Sequence, residues 1–258
     1  MSADTAKGLF LRLCLPVLFI AIWYVFTELI PLVHPTLLPS PVAVVKFFIR
    51  VVSNGELWEH TKASLTRIFY ANVAALALGV PLGLAMGLSR NVERLLDGLL
   101  SIFRPIPPLA WVPLAILWMG IGATSVVFIT FLAAFFAILL NTIAGARAVD
   151  KLHIRAALSL GANRRRLMTH VVLPTVTSHI FTGFRTAIGV SWMSIVAAEL
   201  IAASSGLGYM IIFYREVLRT DAIIVGMLTI GFIGLLMDIG ARRLEQWLLP
   251  WRQVVRLS

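Results

Sequence analysis

Apolar residues in this chain run in long blocks, not in the alternating or three-and-four spaced patterns of a water-soluble fold. A helix needs roughly 20 apolar residues to cross the hydrocarbon core of a bilayer. Six stretches qualify: about Leu9 to Ile30, Ile68 to Leu88, Leu95 to Met119, Thr124 to Ala146, Val176 to Ala203 and Ile223 to Gly240. The third contains Pro105, Pro107, Pro108 and Pro113. Between the first two, Val42 to Val52 is apolar but carries Lys46 and Arg50 four residues apart. It is too short to span. It predicts a helix lying in the membrane interface, opened by Ser40-Pro41; the competing reading inserts it as a hairpin. The pattern predicts an all-α membrane protein with about six transmembrane helices.

Composition agrees. Hydrophobic residues make up 59% of the 258 and charged residues 13%, where a soluble domain carries about 25% charged residues. Mean hydropathy is +0.92. No polar linker or low-complexity tract divides the chain, so residues 1–258 read as one transmembrane domain. The apolar run after Lys7 and Arg12 is long for a signal peptide and lacks a small-x-small site before Pro31, so it reads as a retained first span. The lone cysteine, Cys14, lies inside that run and cannot form an internal disulfide.

The net charge of +10 would suggest nucleic acid on a soluble protein. Here the basic residues sit between apolar blocks, which is how topology is signalled. Six spans put both termini on one side. That side holds Lys7, Arg12, Arg90, Arg94, Arg147, Lys151, Arg155, Arg164, Arg165, Arg166, Arg242, Arg243, Arg252 and Arg256, which is 14 residues. The other holds Lys46, Arg50, Lys62, Arg67, Arg215 and Arg219, which is 6. The asymmetry predicts both termini in the cytoplasm. It places the long basic loop 147–174 there too.

The chain has no phosphate loop of the GxxxxGK[ST] type, no GxSxG or HExxH motif and no metal-type cluster. Any energy for transport therefore comes from an ion gradient or another subunit. A gradient-driven carrier usually shows paired intramembrane carboxylates or inverted repeats; here Glu199 and Asp238 stand near opposite ends of spans. A membrane scaffold is the remaining class.

The loop 147–174 reads RAVDKLHIRAALSLGANRRRLMTHVVLP. Leu152 to Leu160 reads as a short helix ended by Gly161, which can take positive φ. Asn163 can cap a second, Arg164 to His170, and Pro174 starts the next span. Two short helices at an angle make a compact knob, and Ala156, Ala157 and Gly161 allow close backbone approach. A loop that merely fixed topology would account for the arginines but not for the Ala-Ala-x-x-x-Gly-Ala pattern.

That pattern, Ala156 to Ala162 with Val171, Leu173 and Pro174 at their offsets, resembles the coupling loop of ABC-importer permeases. The leading acid of the family motif is Arg155 here. Phe103 to Gly122 resembles the third span of the branch that carries taurine, alkanesulfonates and nitrate. Val190 to Met210 resembles the fifth span and outer loop of the same branch. The resemblance implies a type I, MetI-like permease, working as a homodimer in a bacterial inner membrane. It implies two copies of a separate ABC ATPase, which bind ATP and Mg, and a periplasmic substrate-binding protein. It implies no cofactor in this chain, no enzymatic activity of its own and no nucleic-acid partner. Arg155, Ala156, Ala157, Gly161, Ala162, Leu167 and Pro174 would then couple to the ATPase. The implied substrate is a small organic anion, taurine or another sulfonate, with nitrate-like anions or a pyrimidine vitamin precursor as alternatives.

Other residues qualify as candidates on physical grounds. A cation at membrane depth should face the bundle interior or reach an interface. Arg104 and Arg185 are candidates to border a pathway for an anion; snorkelling or helix pairing is the alternative. Pro107, Pro108 and Trp111 belong to a broken third span and a candidate pathway wall, with packing alone as the alternative. Ser191, Trp192 and Ser194 break the apolar face of the fifth span. Gly206, Leu207 and Gly208 suit a tight turn in an outer gate loop. Glu199 is expected to pair with a nearby cation such as Arg215 or Arg219 or to hold a helix contact; pointing at the pathway, where it would repel an anion, is the alternative.

Overall fold

The structure is a computed structural model. It describes residues 3–30 and 34–248, and their side chains apart from 3–13, 151 and 164. The side chains of Lys7, Arg12, Lys151 and Arg164, and the whole of Arg252 and Arg256, lie outside the described residues. The helices are α1 (Ala3–Tyr24), α2 (Pro41–Ser53), α3 (Glu56–Leu88), α4 (Arg90–Phe103), α5 (Val112–Met119), α6 (Ala123–Arg147), α7 (Lys151–Ser159), α8 (Arg164–Leu167), α9 (Leu173–Ala202), α10 (Leu207–Glu216) and α11 (Thr220–Leu248).

Among the described residues, four helices are long and apolar enough to cross a membrane: 56–88, 123–147, 165–202 and 220–247. A fifth crossing is available if α4 and residues 108–119 count as one, and Cys14–Leu29 is a shorter apolar helix. Five of the six expected spans fall on these elements, with two corrections, and the expected first span falls on the shorter helix Cys14–Leu29. The third is not one helix: α4 and residues 108–119 meet at 83°. Pro105, Pro107 and Pro108 remove three backbone donors there, and α5 restarts with Pro113 in its first turn, where a missing N–H costs nothing. The second expected span begins twelve residues too late, because α3 starts at Glu56. It continues through His60, Lys62 and Arg67, whose polarity hid it.

The short helix expected at Val42–Val52 is α2. The Ser40 hydroxyl accepts from the Ala43 N–H at 3.3 Å, with Pro41 in the first turn. Val44, Phe47 and Val51 are buried, while Lys46 and Arg50 are exposed. One apolar stripe therefore rests on the bundle and the charges face away.

The centre of the bundle is α3, α6 and α9. Without a hydrophobic drive between helices in lipid, packing depends on how closely the backbones approach. A Cβ on Gly83 of α3 would stand 2.7 Å from the Thr142 Cβ of α6, and one on Gly183 of α9 would stand 2.8 Å from the Asn141 Cβ. Gly79, Gly83 and Gly87 recur every four residues, so α3 presents a small-residue face to α6. Ile138, Leu139, Ala134 and Ala187 are fully or almost fully buried along this seam.

Candidate functional site

The loop end of the bundle carries the coupling candidates. The Asp150 carboxylate accepts from the Leu152 N–H at 2.8 Å and opens α7. Gly161 has φ +77°, the Gly161 N–H donates to the Leu158 carbonyl at 3.0 Å, and the Ala162 N–H reaches back to the Ala157 carbonyl at 3.0 Å. That pair of bonds is a Schellman cap with glycine at its left-handed position. The expected first short helix is therefore present within one residue at each end. The Asn163 side chain accepts from the Arg166 N–H at 2.9 Å and caps α8, also as expected.

The expected second short helix, however, is not a separate element. α8 continues through a wider turn at Met168–Val172 into α9, one helix over 165–202. The Leu173 N–H bonds to the Met168 carbonyl, five residues back. The wider turn accommodates Pro174, which has no N–H to give to an ordinary helical turn.

Val149, Val172 and Val176 are buried, with Ile154 packed against them, and this seats α7 on the ends of α6 and α9. The other side of α7 is uncovered. Leu152 is 69% exposed, Leu158 52% and Leu160 88%. Arg155, Ala156 and Gly161 are exposed; Ala157, Ala162 and Leu167 are half-buried; Pro174 is exposed. Arg155 makes no hydrogen bond or ion pair with the described residues. Exposed leucines in a polar loop beside small residues form a surface that can receive a partner.

The opposite end holds the most buried polar cluster of the described residues. Arg67 of α3 and Glu199 of α9 form an ion pair at 2.7 Å, with side chains 7% and 0% exposed. The Ser64 hydroxyl lies 2.9 Å from both Glu199 oxygens and accepts from the Leu207 N–H at 3.0 Å. The Gly208 N–H donates to Glu199 Oε2 at 3.0 Å. Arg67 also donates to the Ser205 carbonyl and hydroxyl, each at 2.6 Å, and the Gly206 N–H donates to His60 Nδ1 at 3.1 Å. A carboxylate against the first N–H groups of α10 is favoured by the helix dipole as well as by the bonds.

The expected partner of Glu199 is thus corrected. Arg219 bonds Asp221 at 2.8 and 3.0 Å, and Arg215 is exposed. Arg67, counted as a loop cation from the sequence, lies inside α3. Gly206, at φ +113°, supplies the expected tight turn, and Leu207 is fully buried. A Cβ on Gly208 would stand 2.5 Å from the Val196 carbonyl oxygen. Nearby, Tyr214 of α10 donates to Glu56 at 2.7 Å. Burial and that carboxylate push its pKa up to about 12, so the phenol stays a donor at physiological pH.

The remaining candidates are scattered. Ser191 is buried and accepts from the Asn72 amide at 3.1 Å, tying α9 to α3. The Trp192 indole donates to the Ile230 carbonyl of α11 at 3.0 Å, and Ser194 is buried. Ser191 and Trp192 thus sit in helix-to-helix contacts of the chain itself. Arg104 is exposed at the bend after α4 and has no ion pair among the described residues. Pro107 is exposed, Pro108 is half-buried, and the half-buried Trp111 ring lies 5.7 Å from the Phe103 ring. Phe103 and Trp111 border an apolar cavity of about 720 Å3 between α3, α4 and α6. Arg185 of α9 meets Asp238 at 3.3 Å and Glu245 at 3.8 Å, both on α11.

Sequence reasoning missed Ser64, Arg67 and Asn72. Their signal was present: polar residues at Ser64, Arg67 and Asn72 fall three to five apart, on one face of a helix that begins at Glu56. Reading α3 as starting at Ile68 removed two of the three from it.

Long apolar helices, a bundle tightened by glycine and a protruding apolar knob at one end define an all-helical membrane protein. The family described as "Binding-protein-dependent transport system inner membrane component" matches residues 79–252, and the chain belongs to it. It is a permease subunit, not an enzyme. The taurine transport system permease protein of Escherichia coli is 41% identical over 242 residues, covering 92% of this chain and 88% of that protein. A putative ABC transporter permease of Methanocaldococcus jannaschii is 40% identical over 255 residues, covering 97% and 95%. The putative aliphatic sulfonates permease of Bacillus subtilis is 36% identical over 240 residues, covering 93% and 87%. Among solved structures, a chain of the MetNI methionine ABC transporter in an inward-facing conformation aligns with TM-score 0.61 at 16% identity. The alignment covers 74% of this chain and 95% of that one. The expected MetI-like fold is therefore present.

Proposed function

We propose that this chain is the membrane-crossing subunit of an ATP-driven importer of small sulfonates, taurine among them. The observation that carries the reading is the uncovered face of α7. Leu152, Leu158 and Leu160 are held out from the bundle by a capped helix whose other face is packed. An ATPase that binds ATP and Mg would dock there, one for each of two copies of the chain. Its closure would move α7 and, through the unbroken helix 165–202, the far end of α9. Arg155, in place of an acid, would meet an acidic or neutral contact on that ATPase.

The loop end is the cytoplasmic end in this reading. The arginines of α4, α7, α8 and the end of α11 gather there, and Lys46, Arg50, Lys62, Arg215 and Arg219 lie at the other end. Placing Arg67 inside α3 widens the asymmetry. A soluble binding protein would deliver substrate to the end bearing α2 and α10. The relatives named for taurine and aliphatic sulfonates support the substrate class. Copurification with an ABC ATPase encoded beside the gene tests the docking. The native chain should retain the ATPase through detergent size exclusion, and Leu160→Asp should lose it while eluting as a folded species. Equal retention by both would remove α7 from the coupling.

A further inference from the structure

Between α2, α3 and α11 lies an apolar groove of about 580 Å3. Val45 and Phe48 of α2, Trp58 and Thr61 of α3, and Leu228 and Phe232 of α11 border it. α2 rests on the bundle by a different stripe, so Val45 and Phe48 hang beside the bundle and are 55% and 45% exposed. The opposite wall, α11, is the least buried of the four long helices, and its Leu228 and Phe232 are 59% and 62% exposed. Along α11 the groove runs from Val225 to Ile233. Eight residues of helix rise about 12 Å, close to the roughly 15 Å of hydrocarbon in one leaflet of a bilayer. The groove therefore has the polarity and the length of a lipid acyl chain.

The rim of the groove selects the occupant. α3 has 33 residues, and its roughly 50 Å of helix exceeds the roughly 30 Å of hydrocarbon. Its polar first turns therefore project and bring Trp58 and Lys62 to headgroup level, where indoles and ammoniums anchor helices. Each residue turns the helix by about 100°, so Lys62 stands about 40° from Trp58, on the rim, while Glu59 is about 160° from Thr61 and faces away. Trp58 and Lys62 are both exposed. Among the described residues the Trp58 indole makes no hydrogen bond and Lys62 makes no ion pair. An apolar helix from a second copy would cover the walls but leave that ammonium without an anion. A lipid with a phosphate supplies both.

We propose that this groove is a binding site for a glycerophospholipid. One acyl chain lies between α2 and α11, an ester carbonyl accepts from the Trp58 indole, and the phosphate sits on Lys62. The site is separate from the transport reading and does not depend on the substrate.

The test is mass spectrometry of the intact full chain released from detergent micelles, titrated with phosphatidylglycerol and with the diacylglycerol of the same chains, which lacks the phosphate. The unsubstituted chain should hold phosphatidylglycerol about tenfold more tightly than diacylglycerol, the scale of one charge-assisted hydrogen bond. Lys62→Gln, at an exposed position, should bring the two affinities together. Val45→Trp, which fills the groove from its exposed wall, should weaken both. Equal affinities for the two lipids in the unsubstituted chain would overturn the site, as would a preference that Lys62→Gln leaves intact or affinities that Val45→Trp leaves unchanged. Near-complete cross-linking of two copies in a bilayer through Leu228→Cys, in a Cys14→Ser background, would also overturn it, by putting the second copy in the groove.

Discussion

Glu199→Gln is the substitution whose effect the structure defines most sharply. It keeps the size of the side chain and removes its charge. The native carboxylate takes the Arg67 guanidinium at 2.7 Å, the Ser64 hydroxyl at 2.9 Å and the Gly208 N–H at 3.0 Å. Glutamine has one acceptor oxygen for those three donors. Its amide must turn an N–H toward a site built to donate. Arg67, 7% exposed, keeps only the neutral Ser205 acceptors. Breaking one partner of a buried pair costs about 3–5 kcal/mol. The two Ser205 bonds put this case at the lower end, about 3 kcal/mol, or more than a hundredfold in the unfolding constant. Reversible unfolding in mixed micelles, followed by tryptophan fluorescence, measures it. The double variant Arg67→Met/Glu199→Gln should recover at least half of the loss, because it leaves no unpaired charge. The segment 203–206, which the network pins, should become cleavable by protease in the single variant. A loss under about 1 kcal/mol, or losses that add without coupling, would refute the assignment of this cluster as the lock on α10.

Four further substitutions probe packing, charge and backbone conformation. Gly83→Val should lower the thermal midpoint in detergent, by overpacking worth about 1–3 kcal/mol, because its Cβ would meet Thr142 at 2.7 Å. Gly98→Ala on α4, with nothing within 4 Å of a new Cβ, should be neutral or stabilising by about 0.5–1 kcal/mol in the same assay. The Glu93–Arg147 pair, at 2.5 Å with side chains 34% and 52% exposed, should matter little: Arg147→Ala should shift the unfolding free energy by no more than about 1 kcal/mol. Gly161→Val should strain the left-handed cap of α7 by about 1–2 kcal/mol. Its measurable effect should be weaker ATPase retention on a column, without a lower thermal midpoint for the bundle.

The elements the sequence revealed were those written in uninterrupted apolar blocks or in local capping chemistry. α6, α9 and α11 are apolar for long enough that burial in lipid is their only stable state. α2 and α7 were legible because Ser40-Pro41 and Gly161 act within a few residues of themselves. The elements misread were those where tertiary contacts satisfy polar groups. α3 looked too polar to start at Glu56, because its Arg67 is neutralised by a residue 132 positions away. The third span looked continuous, because its composition is apolar on both sides of the bend. α8 looked separate, because the turn that absorbs Pro174 has no signature in residue type. The loop 147–174 was singled out by a motif, and what the structure adds is which leucines stand free of the bundle. The Glu199 pairing was expected in kind and wrong in partner, for the same reason that α3 was read too short.

The proposed function requires that this permease move a sulfonate only when a docked ATPase drives it. The most direct measurement is taurine uptake into proteoliposomes containing this chain, the neighbouring ATPase and the binding protein, with ATP inside and no ion gradient. The account predicts accumulation that requires ATP and all three components, and that is lost with Leu160→Asp. Uptake that proceeds without ATP and follows an imposed ion gradient would contradict it.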